Sequence, residues 1–186
     1  MHPRLSELVN HAAAQRARLL SAVSLIPEPR RQQRAQPDCW STAEVLEHLH
    51  RVERSVVRLL AHGLERATAE GIGPEIETES VMHWLDGFQL VRRTSRISAP
   101  EWVRPRGESS AAQALAALAE SRQALLTAIG ALDGLALDKI TQSHPLLGSL
   151  NLYQWILFVG QHEARHAAQI EEIAGQLAAS PDHIRG

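Results

Sequence analysis

The chain has 186 residues, 44% of them hydrophobic and 22% charged, and a formal net charge of −2. This is enough apolar content for one sizeable core, so a single domain over residues 1–186 is expected, and the near-neutral balance argues against a nucleic-acid partner, which calls for a basic stripe. Cys39 is the one cysteine, which excludes an internal disulfide or a cysteine-based zinc site; no apolar run is long enough for a membrane span and no secretory leader opens the chain, so a cytoplasmic setting is expected.

Aromatic residues are only 4% while Ala and Leu abound, which favours helices over strands. A first helix is predicted from about Leu5 to Ile26, where Pro27 and Pro29 end it. A second starts at Ser41, with Ser41 and Glu44 spaced as a capping box, and fades near Glu70 before Gly71, Gly73 and Pro74. The stretch from Gly71 to Ser110 is too long for a plain connection. Within it, Val81 to Arg93 reads as a short extra helix capped by Ser80, and Ser98 to Gly107 as an ordered loop. A third helix runs from about Ser110 to Leu132. Asp138 to Ser149 reads as a turn region, and the fourth helix runs from Asn151, its N-cap, to about Ala178. The fold class is therefore all-α, a four-helix bundle. The long link between helices two and three is a crossover that would let them run parallel, giving an up-down-down-up order.

The fourth helix holds the residues that point to chemistry. His162 and His166 stand four apart, one helical turn from each other, and they share the apolar face with Leu152, Trp155, Val159, Ile170 and Ile173. A buried imidazole pair is costly unless its nitrogens are satisfied, and a divalent metal does that well. Of the ten histidines, His48 fits best as a third ligand. It flanks the apolar stripe of helix two between Val45 and Val52, whereas His50 projects to the other side and reads as solvated. His2 and His11 lie near the N-terminus, His62 and His83 near helix ends or in the crossover, and His183 in the tail. His144 lies in the turn before helix four, at the wrong end to reach His162 easily. Three neutral imidazoles from two helices leave coordination positions open, the pattern of a catalytic or substrate-binding metal rather than a closed structural one.

Rival readings use the same residues. His162-Glu163-Ala164-Arg165-His166 matches H-E-x-x-H, in which Glu163 would be a general base, but no distant third ligand and no strand-rich lobe accompany it. Glu163 and His166 also match a Glu-x-x-His half-site of di-iron bundles, yet Val45 stands where a second half-site before His48 would need Glu. A bundle without a metal, serving as an interaction or dimerising module, is the third alternative.

Three stretches resemble the DinB-like superfamily of metal-binding bundles, which includes YfiT-like proteins and mycothiol-dependent maleylpyruvate isomerases. They are Trp40-Ser41-Thr42-Ala43-Glu44-Val45-Leu46-Glu47-His48-Leu49; Arg104-Pro105-Arg106-Gly107 with Arg122-Gln123-Ala124-Leu125-Leu126; and His144-Pro145-Leu146-Leu147-Gly148 followed by Tyr153-Gln154-Trp155, His162, His166 and Gln169-Ile170. The resemblance implies an up-down-down-up bundle, a metal triad at His48, His162 and His166, and a homodimer. It further implies thiol-dependent transferase chemistry, with a low-molecular-weight thiol as co-substrate and an electrophile as acceptor; imidazole ligands suit zinc, nickel, iron and copper alike, and zinc or nickel is the metal expected.

Other residues have plainer readings beside the chemical ones. Trp40 and Trp155 could line a pocket, though core packing suffices. Arg165 could bind an anionic thiol or be a surface arginine. Glu163 is the weak catalytic candidate, as an acid, a base or a group orienting a ligand. His144 reads as structural, and Cys39 as a lone buried cysteine.

Overall fold

The structure is a computed structural model, and it describes residues 1–93 and 98–179. Its main elements are α1 (Pro3–Ser24), α2 (Thr42–Glu70), α3 (Ala111–Ala131) and α4 (Leu152–Ala179), with a two-stranded hairpin, β1 (Thr141–His144) and β2 (Gly148–Asn151), before α4. The protein is mostly helical, as its composition requires. His183, noted in the tail, lies outside the described residues.

The helix starts follow from local chemistry. Ser41 Oγ accepts from Glu44 N at 3.2 Å while Glu44 returns a carboxylate oxygen to Ser41 N at 2.8 Å, the reciprocal pattern of a capping box. Ser110 and Gln113 repeat it on α3, and Asn151 and Gln154 exchange the same pair of bonds at α4, at 3.0 and 2.9 Å. Gly71 closes α2 with φ +65°, a left-handed conformation that favours glycine.

Two apolar clusters fill the space between the helices. One gathers Leu5, Leu8, Val56, Leu60, Leu125 and Ile129 with Leu152 to Val159 of α4. The other joins Leu19, Val23, Leu46, Leu118, Ile170 and Ile173. Helix α1 packs mainly on α4, and α2 mainly on α3. Helix α1 approaches α4 tightly at Gly160, where an added Cβ would lie 2.5 Å from a His11 ring carbon.

Between the apolar clusters lies a buried ion-pair cluster with one or more members from each helix. Glu163 accepts from Arg16 Nε at 2.7 Å and from Arg122 Nη2 at 2.8 Å. Glu53 accepts from Arg122 Nε at 2.7 Å, Arg16 Nη2 at 3.2 Å and Ser121 Oγ at 2.6 Å. Two carboxylates meet two guanidiniums, so the buried charges balance. Burial works against the Arg122 charge, but Glu163 and Glu53 outweigh it and raise its pKa.

The crossover departs from the sequence expectation in one respect. The predicted helix from Val81 to Arg93 is a succession of turns with a single 3-10 turn, Asp86–Phe88. Its start is fixed from outside: Glu7 of α1 accepts from Val81 N at 2.7 Å and from Ser80 Oγ at 2.9 Å. Val81 and Leu85 are fully buried, but Phe88 and Val91 are 44% and 41% exposed, so the apolar side never seats as one helical stripe. The left-handed Gln89 (φ 48°) ends the turn. A further 3-10 turn, Glu101–Val103, lies in the second half of the crossover.

The second departure is the hairpin, found where a turn region was expected. Its register pairs His144 with Gly148, which leaves a three-residue loop, and Gly148 (φ +77°) supplies the left-handed position such a loop uses. Neither strand carries an alternating apolar pattern, and Leu150 is its one buried residue.

Candidate metal centre

His48 of α2 and His162 and His166 of α4 each bring one ring nitrogen within 4.8 Å of the others. The three rings are oriented, not merely close. His48 Nδ1 lies 2.8 Å from the Val103 carbonyl oxygen, and His166 Nδ1 lies 2.8 Å from Gln169 Oε1. Both partners are acceptors, so each Nδ1 carries the ring hydrogen and each Nε2 is left as a bare lone pair. Burial keeps the rings neutral: it lowers the His48 pKa to about 4, and burial together with the neighbouring rings lowers His162 and His166 well below the ordinary value.

These two Nε2 atoms both approach His162 Nε2, at 3.3 Å from His48 and 3.1 Å from His166. His162 can donate one hydrogen at most from that nitrogen, so at least one of these approaches sets lone pair against lone pair. A cation among the nitrogens removes the conflict. Four-coordinate nitrogen sites with ligand distances of about 2.0–2.1 Å have nitrogens roughly 3.3 Å apart, which matches the observed spacing. The donor set therefore fits a divalent metal.

The orienting bonds have their own support. Val103 is buried and belongs to the Glu101–Val103 turn. The loop that follows is held by Glu47, the neighbour of His48 in sequence: its carboxylate accepts from Arg106 N and Gly107 N, each at 3.0 Å. Arg51, one turn along α2, pairs with Glu47 at 2.9 Å. A single buried carboxylate on α2 thus fixes the loop whose carbonyl aims His48.

The triad faces a cavity of about 910 Å³. Trp40 packs on His48, with ring centroids 4.9 Å apart, and lies stacked 6.5 Å from His166. Phe158 stacks on His162 at 5.1 Å. Trp40 and Trp155, for which core packing was the plainer reading, both line the cavity. Trp102, from the crossover, also lines it and is 65% exposed; an isolated tryptophan in a proline-bearing loop gave no periodic signal by which to find it.

Other candidates fall differently from the sequence expectation. His144 does reach the site region: its ring lies 4.8 Å from Phe158 and 5.0 Å from Trp155, on the cavity wall. The hairpin folds it back, and its Nδ1 accepts from Leu146 N and Leu147 N at 3.1 and 3.2 Å. His50 is half-buried against Ala117 of α3 rather than solvated. Arg165 is half-buried, lines the cavity and donates to the carbonyls of Leu90 and Arg92. Cys39 is half-buried and faces Gln36. Glu163 sits in the ion-pair cluster with both oxygens occupied by guanidiniums, and it does not line the cavity.

Comparison with known proteins shows the family. Residues 11–170 match the DinB superfamily, and the chain belongs to that family. An uncharacterized protein of Bacillus subtilis (strain 168), YuaE, is 29% identical over 139 residues, covering 74% of this chain and 79% of the relative. No solved structure matches. Among the described residues, no helix is long and apolar enough to cross a membrane.

Proposed function

We propose that the protein is a divalent-metal-dependent transferase that joins a low-molecular-weight thiol to an electrophile, at an open site on His48, His162 and His166. The observation that carries the reading is the convergence of three oriented imidazoles on the wall of a large cavity. Zinc and nickel are the metals we favour, since both suit imidazole ligands. Bound there, such a metal would hold a thiol as its thiolate at neutral pH.

The chain's own residues do the rest. Val103 and Gln169 keep two of the rings in the tautomer that offers Nε2. Trp40, Phe158 and Trp155 keep water from one side of the site. In the transfer, the thiol proton passes to solvent and the sulfur forms a bond to the acceptor carbon. The acceptor's leaving group departs with its electron pair. Glu163 is assigned to the ion-pair cluster, not to proton transfer, because its oxygens are already bound.

The finer architecture is part of the proposal. Gly63 faces Leu152 while Trp40 faces His166, which supports α2 running opposite to α4. Arg16 meets Glu163 and Arg30 meets the Leu177 carbonyl, which supports α1 running with α4. Glu53 meets Arg122, and Gln32, ahead of α2, meets Ala111 N at the start of α3, which supports α2 and α3 running together. The order is then up-down-down-up. We further propose a cytoplasmic homodimer, on the family likeness and on the use of a single cysteine.

Steady-state consumption of a thiol with 1-chloro-2,4-dinitrobenzene by zinc- or nickel-loaded protein tests the reading. Turnover that vanishes in His162→Ala, with the helical spectrum retained, is expected. Stoichiometric metal without turnover for any thiol would instead make the protein a non-catalytic metal-binding bundle.

A further inference from the structure

The cavity is not a simple bowl over the triad. Trp155, Phe158, His162, His166, Gln169, Ile173 and Gln176 all line it, at spacings of three and four that form one stripe of α4. At a rise of about 1.5 Å per residue, the trough follows that helix for roughly 30 Å. His162 and His166 stand in the middle of it.

The two halves differ in chemistry. Toward the start of α4 the lining is Trp155 and Phe158, faced by Val52 and Val56 of α2 and closed by Leu146 and Leu147 of the hairpin. Phe158 and Trp155 are edge-on to each other at 5.8 Å, and Trp155 Nε1 donates to the Gln142 carbonyl at 3.3 Å. The indole hydrogen is thereby used on the hairpin, and the wall is apolar apart from Ser55 of α2 and Ser143 and His144 of the hairpin. Toward the end of α4 the polar lining is Gln169, Glu172 and Gln176, faced by Gln36 and Asp38 ahead of α2, while Ile173 and the Trp40 ring beside His166 are its apolar members. The contacts of α2 with α4 account for the sorting: His48 lies beside His162, so residues after His48 fall on the apolar half and residues before it on the polar half.

We infer that the two halves take two different reactants, and that the apolar half binds the acceptor as a hydrophobic molecule with a flat, aromatic-sized body. The polar half is then left to the hydrophilic body of the thiol. This rests on the transferase reading for its meaning, but the binding itself does not depend on turnover. Burying flat apolar surface against Trp155 and Phe158 supplies the affinity. Leu146 is 57% exposed at the hairpin loop, where such a ligand would cover it.

The test uses N-phenyl-1-naphthylamine, an uncharged probe whose emission rises in apolar sites, and 1-thioglycerol as a small polar thiol. Thiol binding is followed separately in cobalt-loaded protein by the sulfur-to-cobalt absorption band. The probe is expected to bind once per chain and to stay bound when 1-thioglycerol saturates the site. Leu146→Glu and Val52→Glu should each weaken the probe tenfold or more, and Gln176→Leu should leave it unchanged; the exposed Leu146 position covers the case in which Val52→Glu disturbs folding. No saturable probe binding, displacement of the probe by 1-thioglycerol, or indifference to both glutamate substitutions overturns the inference. A probe that obeys the variants in protein giving no cobalt–thiol band would support the apolar half and sink the thiol reading alone.

Discussion

His48 arrives at the site with its ring already aimed, and so does His166, because Val103 and Gln169 each accept an Nδ1 hydrogen at 2.8 Å. Replacing Gln169 by Ala removes one of these acceptors. Losses of this kind commonly cost 10- to 100-fold in metal affinity, so Gln169→Ala should weaken zinc by about tenfold in a chelator competition, and Gln169→Glu should restore it. Acid acts on the same rings. Burial lowers the His48 pKa from 6.5 to about 4, and burial with the neighbouring rings lowers His162 and His166 well below 6.5. The unfolded chain therefore takes up protons first as the pH falls. Metal-free protein should hold its full stability above pH 6.5 and lose it progressively as the pH drops from 6.5 toward 4. Denaturant melts across that range check the sign, and a rise in stability with falling pH would contradict it. Glu163 is a different case: both its oxygens pair with guanidiniums in the core. Glu163→Ala strands buried positive charge and should cost about 3–5 kcal/mol of folding stability, while the protein that does fold keeps its metal. Loss of metal at unchanged stability would return Glu163 to the site.

The four main helices were legible as elements because their signals are local. Ser41 with Glu44 announces the start of α2, Gly71 its end, and the apolar spacing of Leu152 through Ile173 marks α4. His48 was legible for the same reason, as a residue beside an apolar stripe. What the sequence hid is what depends on distant partners. The turn at Val81 is set by Glu7, more than seventy residues away in the chain, and periodicity therefore mistook Val81 to Arg93 for a helix. The hairpin strands carry no alternating pattern, so nothing local announced that they would fold His144 back to Phe158. Glu47 reads in sequence as one more charged residue on α2, yet it is buried and clamps Arg106 and Gly107. Glu47→Ala should free that loop and with it the Val103 carbonyl, lowering metal affinity by about tenfold with little change in helix content. Hydrogen exchange at Arg106 and Gly107 should rise in the same variant. Protection there equal to wild type would show that the clamp lies elsewhere.

Across the whole molecule, the two apolar clusters are joined through the centre by Arg16, Glu53, Arg122 and Glu163, drawn from all four helices. The scaffold thus has its own polar anchor, separate from the imidazole triad, and metal-free protein should still fold. Metal should add stability by mass action, raising the melting temperature as free zinc increases, without converting an unfolded chain to a folded one. The decisive observation is the metal content of protein purified without a histidine tag, set beside His48→Ala and His162→Ala. About one zinc or nickel per chain, lost in both variants while their helical spectra persist, is the result expected of a three-histidine centre. Absence of metal after reconstitution with either ion, or metal retained in both variants, would contradict it.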